Sequence, residues 1–242
     1  MSCGTALVVG VGAEAGLGAS LARRFAQEGF CVFISGRTAR RLDAVAAAIR
    51  RTGGRAEPVV ADATKEDQVS ALFDKASAEG GLEFVVYNAG GFLAKPILEL
   101  TGGKFEATWR QNAYAGFLVG REAIRRMLPQ ARGTVIFTGA TASLRAKPPF
   151  TAFAAAKAAL RSVAQGLARE FGPHGIHVAH VVVDGVIEGE RARQSFAGFS
   201  AAQESGELID PDAIAETYLA VHRQPRSAWT HELDLRPFKE PF

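Results

Sequence analysis

Short β-branched apolar runs alternate along this chain with longer stretches in which apolar residues recur every three or four positions. The runs occupy 6–10, 31–35, 56–61, 82–87, 133–138, 176–183 and 228–235. Within each, successive positions are apolar rather than alternate ones, as in strands buried on both faces of a parallel sheet. The stretches between them, 16–29, 39–51, 65–78, 104–128, 150–171 and 210–222, carry helical spacing, as in Leu42, Val45, Ala46 and Ile49. Strand–helix units repeated in this way predict one α/β domain over 1–242, a doubly wound parallel sheet of about seven strands with helices on both faces. The stretch 189–206, with Arg191, Arg193, Gln194, Phe196 and Phe199 among glycines and serines, breaks the pattern. Because it follows the end of a sheet strand, it reads as part of a helical flap over a site, at about 186–209, or equally as a surface insertion.

Composition narrows the function classes. Hydrophobic residues make up 48% and charged residues 22%, so a sizeable core is expected. The net charge of +3 comes from dispersed basic residues with no aromatic-interleaved stripe, so nucleic acid is not an expected partner. No run of apolar residues reaches membrane-spanning length. Residues 1–5 carry no basic region and 6–10 are too short for a signal peptide, so a cytoplasmic protein is expected. Cys3 and Cys31 make no disulfide framework, and both thiols are expected to be reduced. No Cys/His cluster has metal-ligand spacing.

The first apolar run leads into Gly12, Gly16, Leu17 and Gly18, with a G-x-x-x-G-x-G spacing, and then an amphipathic helix. Such a turn lets backbone N–H groups approach a pyrophosphate at a helix N-terminus, which predicts a dinucleotide site in a Rossmann-like domain. A tight strand-to-helix turn would also want glycine. The second run ends in Gly36-Arg37, with Arg40 and Arg41 nearby, where a free ribose 2′-hydroxyl would ordinarily meet an acid. A guanidinium suits a 2′-phosphate, so NADP(H) is favoured over NAD(H). The same arginines would also suit the solvated start of a helix.

Together with Asp62 after the third run, Asn88-Ala89-Gly90 after the fourth, Asn112 in the fourth helix and Lys157 in the fifth, this turn resembles the short-chain dehydrogenase/reductase family from Thr5 to about Leu235. The resemblance implies that Asp62 sits near the adenine, that Asn88, Ala89 and Gly90 line the cofactor cleft, and that Lys157 holds the cofactor ribose. Read from the residues alone, Asp62 also suits a helix cap and Asn88-Ala89-Gly90 an ordinary turn. The family's Asn, Ser, Tyr and Lys fall on Asn112, Ala140, Phe153 and Lys157. Both hydroxyls of the proton chemistry are thus replaced, and phenylalanine neither donates nor accepts a proton. Losing such a group costs roughly 10²–10⁴-fold in rate. The family's Pro-Gly and Thr after the sixth strand read Val183-Asp184 and Glu188, unless a gap keeps Gly185 as the glycine.

Substitutes are few. Thr141 and Ser143 could orient a carbonyl or simply bond within their loop. Asp184 is an acid if buried and otherwise a cap for the next helix. His177 and His180, three apart on a strand, point to opposite faces and read as buried structural residues. Tyr114, roughly 200° round the helix from Asn112, reads as core packing. Phe92, Phe150, Phe153, Phe196, Phe199 and Ala140 suggest an apolar substrate pocket. The resemblance implies an NADP(H)-dependent oxidoreductase acting on a small carbonyl, alcohol or conjugated carbonyl; related reductases of conjugated carbonyls dispense with the tyrosine. The alternative is a catalytically impaired nucleotide-binding homologue acting as a sensor or partner subunit. It also implies a homodimer or homotetramer paired through the fourth and fifth helices, whose outer faces would carry Trp109, Phe117 and Phe171.

Overall fold

The computed structural model describes residues 4–78 and 80–240; Cys3 lies outside the described residues, and Cys31 is buried. In chain order the elements are β1 (Thr5–Val9), α1 (Leu17–Gln27), β2 (Cys31–Gly36), α2 (Ala39–Arg51), β3 (Arg55–Val60), α3 (Glu66–Ala78) and β4 (Leu82–Tyr87). There follow α4 (Gly102–Trp109), a π-helical turn (Arg110–Tyr114), α5 (Ala115–Met127), β5 (Gly133–Thr138), α6 (Thr151–Phe171) and β6 (Ile176–Val183). The chain closes with β7 (Val186–Ile187), α7 (Glu190–Ser195), α8 (Phe199–Ser205), β8 (Leu208–Ile209), α9 (Pro211–His222) and β9 (Glu232–Leu235).

Seven strands form one sheet in the order β3-β2-β1-β4-β5-β6-β9, every pairing parallel. Neighbouring residues on the inner strands feed opposite faces, which explains their unbroken apolar runs. The edge strands β3 and β9 depart from that expectation, being only partly buried and carrying Arg55, Glu57, Glu232 and Asp234. Ala6 and Val8 of β1 join Val32, Ile34, Phe84 and Val86 in the core under α1, α2 and α9. Leu7 and Val9 join Phe33, Val85, Tyr87 and Phe137 in the core under α3, α5 and α6. Leu42, Val45, Ala46 and Ile49 are the buried residues of α2, as their spacing requires. Each fully buried Leu, Val or Phe contributes about 1.5–3 kcal/mol, so the two cores fix the order of the strands.

The direction reverses between β1 and β4: β2 and β3 lie on one side of β1, and β4, β5, β6 and β9 on the other. In open sheets of this kind the crevice at that reversal, at the strands' carboxyl ends, is where ligands bind.

Two expectations are corrected. The stretch 104–128 is not one uniform α-helix. It starts at Gly102, capped by the Thr101 side chain, and is interrupted by the π-helical turn that holds Asn112. The last strand begins at Glu232, not at 228, because Thr230 and Trp229 bond back to Gln224 and turn the chain. The stretch from 186 to 209 is helical in its middle, with α7 and α8 lying between β7 and β8, which pair in parallel. Among the described residues no helix is long and apolar enough to cross a membrane.

Candidate active site

The strand ends open onto a cleft of about 920 Å³ whose lining runs from Gly12, Gly16, Leu17 and Gly18 through Arg37, Asp62 and Asn88-Ala89-Gly90 to Asn112, Ala140, Thr141, Phe153 and Lys157. Phe199, expected in an apolar pocket there, is buried in α8 and does not line it. A second hollow, about 180 Å³, lies against Glu83, Gly133 and His177 at the amino ends of the strands, away from these residues.

On one side the glycine turn passes under the β4 exit. The glycine that the backbone requires is Gly10, which the spacing pattern overlooked. Its φ is +105°, and an added Cβ would lie 2.3 Å from Ala89 N. A Cβ at Gly18 would meet Gly10 O at 2.6 Å, whereas at Gly12 the nearest atom, Arg41 Nη1, is 4.0 Å away. The Asn88 side chain seals the approach, donating to Gly10 O at 3.0 Å. Gly16, as N-cap, and Leu17 then open α1, and both line the cleft.

Arg37 is exposed at the end of β2 and lines the cleft. Its charge reaches Asp62 at the end of β3. Burial raises the Asp62 pKa, but hydrogen bonds from the Thr64 backbone and hydroxyl, with Arg37 and Lys65, leave it lowered overall. Asp62 therefore holds the turn before α3 and also faces the cleft. Arg41 has a different partner, Glu190 of α7, at 2.8 Å.

On the other side, one turn of α6 presents Phe153 and Lys157, with Lys157 Nζ 5.8 Å from the Phe153 ring centre. Lys157 is buried and donates to Thr138 O at 2.8 Å. Burial, then the charge of Arg191, push its pKa down to about 8. Asn112 is fully buried and donates to Gly91 O and Thr108 O, at 3.0 and 2.9 Å. Its Oδ1 has no partner. An added Cβ on Gly90 would lie 2.5 Å from Asn112 Oδ1 and 3.6 Å from Lys157 Nζ, so only a glycine leaves this space between the two side chains open. A π-helical turn is a frequent device at functional sites, and here it carries Asn112.

The candidate substitutes are engaged elsewhere. Thr141 donates its hydroxyl to Asp184 Oδ1. Ser143 is buried and accepts from Ala140 N at 3.1 Å. Asp184 does not cap a helix; it pairs with Arg236 at 2.9 Å and stands 3.8 Å from Arg145. Neither arginine could be found from local spacing. His180 donates from Nδ1 to Glu232 Oε2 (2.9 Å), and burial lowers its pKa to about 4. His177 stacks on Trp229 and bonds Thr230 O, away from the cleft. Tyr114 packs only partly on the core and stacks between Trp109 and Phe117. Phe150 and Phe153 each lie 5.4 Å from Phe92, giving an aromatic wall. Among the described residues no His, Cys, Asp and Glu group is arranged to hold a metal.

A strand-reversal crevice, a glycine turn and a buried asparagine–lysine pair define a nucleotide-cleft protein of the doubly wound class. Residues 5–197, more than half of the chain, match the family model for short chain dehydrogenase. The chain belongs to the short-chain dehydrogenase/reductase family. It is 30% identical over 212 residues to Oxidoreductase asL5 of Sarocladium schorii, covering 84% of each chain. It is 33% identical over 211 residues to Uncharacterized oxidoreductase YuxG of Bacillus subtilis, matching 86% of this chain but only 30% of that protein. A solved short-chain dehydrogenase from Rhodopseudomonas palustris superposes with a TM-score of 0.83 at 39% identity, covering 97% of this chain and 99% of that one. A metagenomic short-chain oxidoreductase solved in complex with NADP gives 0.81 at 26% identity, with 98% of each chain covered.

Proposed function

We propose that the chain is an NADP(H)-dependent oxidoreductase acting on a small carbonyl or alcohol, or on a conjugated carbonyl, with Lys157 as the proton-exchanging group where the family has a tyrosine. The carrying observation is the buried Lys157 ammonium, its pKa near 8, beside Asn112 and Gly90 in the cleft. NADP(H) bound in the cleft supplies or accepts the hydride.

The remaining roles belong to the chain. Backbone N–H groups of Gly12, Gly16, Leu17 and Gly18 hold the pyrophosphate at the start of α1. Arg37 takes the 2′-phosphate and Asp62 borders the adenine. Asn88, Ala89 and Gly90 line the middle of the cleft. Lys157 holds the ribose and stabilises developing oxyanion charge, and a group with a pKa near working pH is suited to exchange a proton. Asn112 Oδ1, buried without a partner, positions water behind it. Ala140, Phe92, Phe150 and Phe153 make the reacting end apolar, and the segment 186–209 closes over it. A soluble cytoplasmic protein fits this reading.

The test is an NADPH and NADH titration followed by turnover on a panel of ketones and enones. Tighter NADPH binding with slow turnover supports the proposal; equal or reversed affinity overturns the cofactor preference. Arg37→Glu is expected to weaken NADPH binding by about tenfold or more and to leave NADH nearly unchanged. A second reading, a nucleotide-binding sensor or partner subunit, is favoured by one observation: neither Phe153 nor Ala140 bears a hydroxyl, and that of Thr141 is committed to Asp184. Tight NADPH binding with no turnover anywhere on the panel would select it.

The chain is further proposed to form a homodimer or homotetramer through α4–α5 and α6. Trp109 and Phe117 are 39% and 40% exposed on a continuous aromatic strip with Tyr114. Phe171, expected on that outer face, packs against the core and His174 instead. Light scattering at micromolar concentration is expected to give a dimeric or tetrameric mass, and a monomeric mass would exclude the arrangement.

A further inference from the structure

The acids and bases around the cleft are mostly paired with each other. Arg41 is held by Glu190, and Arg236 and Arg145 face Asp184. Glu188 accepts from Gln203 of α8. Arg191, the second residue of α7, is not paired in this way. Among the exposed cleft cations it shares that with Arg37 and Lys147, and it alone of the three lies over an aromatic ring of the wall. It lines the cleft, yet among the described residues no carboxylate pairs with it. Its guanidinium lies over the Phe92 ring, 5.8 Å from the ring centre. Phe92 touches both Phe150 and Phe153, and Phe153 in turn lies beside Lys157. A cation with an aromatic wall on one side, and a second cation beyond that wall, therefore faces the cleft beside Phe92, one residue after Glu190, whose N–H bonds Ala15 O of the glycine turn. The field of Arg191 is strong enough there to help lower the Lys157 pKa. A cation in these surroundings gains most from an anion that arrives with the ligand.

We infer that Arg191 is a specificity-determining residue that receives the carboxylate of the substrate, whose apolar or aryl segment lies against Phe92, Phe150 and Phe153. The planar guanidinium matches a carboxylate in two parallel hydrogen bonds. The phenylalanines offer area without competing polar groups. The inference rests on the oxidoreductase reading, because it assigns the substrate end of the same cleft. Cofactor phosphates are the other anions that could reach this arginine. They are assigned to the glycine turn and Arg37, so the two sources separate experimentally.

The experiment is calorimetric titration of the full chain with 3-phenylpropanoate and octanoate, each compared with its neutral amide, with and without saturating NADPH. Native protein is expected to bind at least one acid about tenfold or more tighter than its amide. Arg191→Gln should abolish that preference while leaving amide and NADPH affinities within about twofold, and Arg191→Lys should keep part of it. Arg191 is exposed on a short helix, so thermal melting should confirm that both variants remain folded. Equal binding of acid and amide, or no binding of either pair, overturns the inference. So does a loss of NADPH affinity in Arg191→Gln as large as the loss for the acid, which would assign the guanidinium to the cofactor. If native protein binds no NADPH but keeps an Arg191-dependent acid preference, the oxidoreductase reading fails and the carboxylate subsite stands. If NADPH binds and is turned over without any acid preference, the subsite alone fails.

Discussion

Phe153→Tyr is expected to raise the rate of NADPH-dependent reduction of simple ketones by an order of magnitude or more, within the roughly 10²–10⁴-fold worth of a positioned acid. The native ring is half-buried, one helical turn before Lys157 and 5.8 Å from its Nζ. A phenol on this ring would share the field of the ammonium, which favours the phenolate and draws the hydroxyl pKa toward neutrality. Ala140→Ser, added to it, supplies a second hydroxyl at the mouth of the β5 loop to orient the carbonyl. Steady-state kinetics on the single and double variants against a ketone panel measure the gain. A native enzyme already fast on ordinary ketones, and slowed by Phe153→Tyr, would show that another group supplies the proton and that the aromatic wall is part of its design.

Lys157→Met is expected to lower turnover by roughly 10²–10⁴-fold and to change the pH dependence of stability. In the native protein, reduction should slow as pH rises through about 8, where the ammonium gives up its proton. The stability effect has a definite sign. The folded pKa is lowered from 10.5 to about 8, so between those values the unfolded chain holds a proton that the folded one has released. Stability therefore rises with pH through that window, and the cost of burying the cation is present in full below about 8. The shift corresponds to about 3 kcal/mol. The stability of native protein relative to Lys157→Met should improve by about that amount between pH 7 and pH 10.5 in denaturant titrations. A difference that does not change with pH would mean that the amine is not held in the low-dielectric site described here.

The sheet could be read from sequence because its signal is local. Strands buried on both faces are apolar throughout, and β4, β5 and β6 fall where their runs do. The candidate site residues fall together in one cleft because the strand ends they follow are also marked locally in the sequence. What was missed depends on three-dimensional neighbours. Gly10 is demanded by Ala89, a residue on another strand's exit, whereas the regular spacing singles out Gly12. The shortened β9 reflects a side-chain clasp between Gln224 and Thr230. The fate of Asp184 was set by Arg236 and Arg145, and the position of Arg191 by the docking of α7, whose Glu190 N–H bonds to Ala15 O. None of these partners leaves a periodic mark.

The π-helical turn at Arg110–Tyr114 can also be understood as a phase shift. It is a helical rod carrying one surplus residue, and each residue of α-helix advances the side chains by about 100°. The surplus lets a single rod satisfy two incompatible bearings. Before it, α4 leaves Phe105 and Trp109 exposed; after it, α5 turns Leu118, Val119, Ala123 and Met127 into the core. Removing one residue there would not simply shorten the rod. It would rotate one half against the other, so that either the Asn112 segment or the buried stripe of α5 points the wrong way. The place that bears the buried amide is thus also the place where the chain's length is least free to drift.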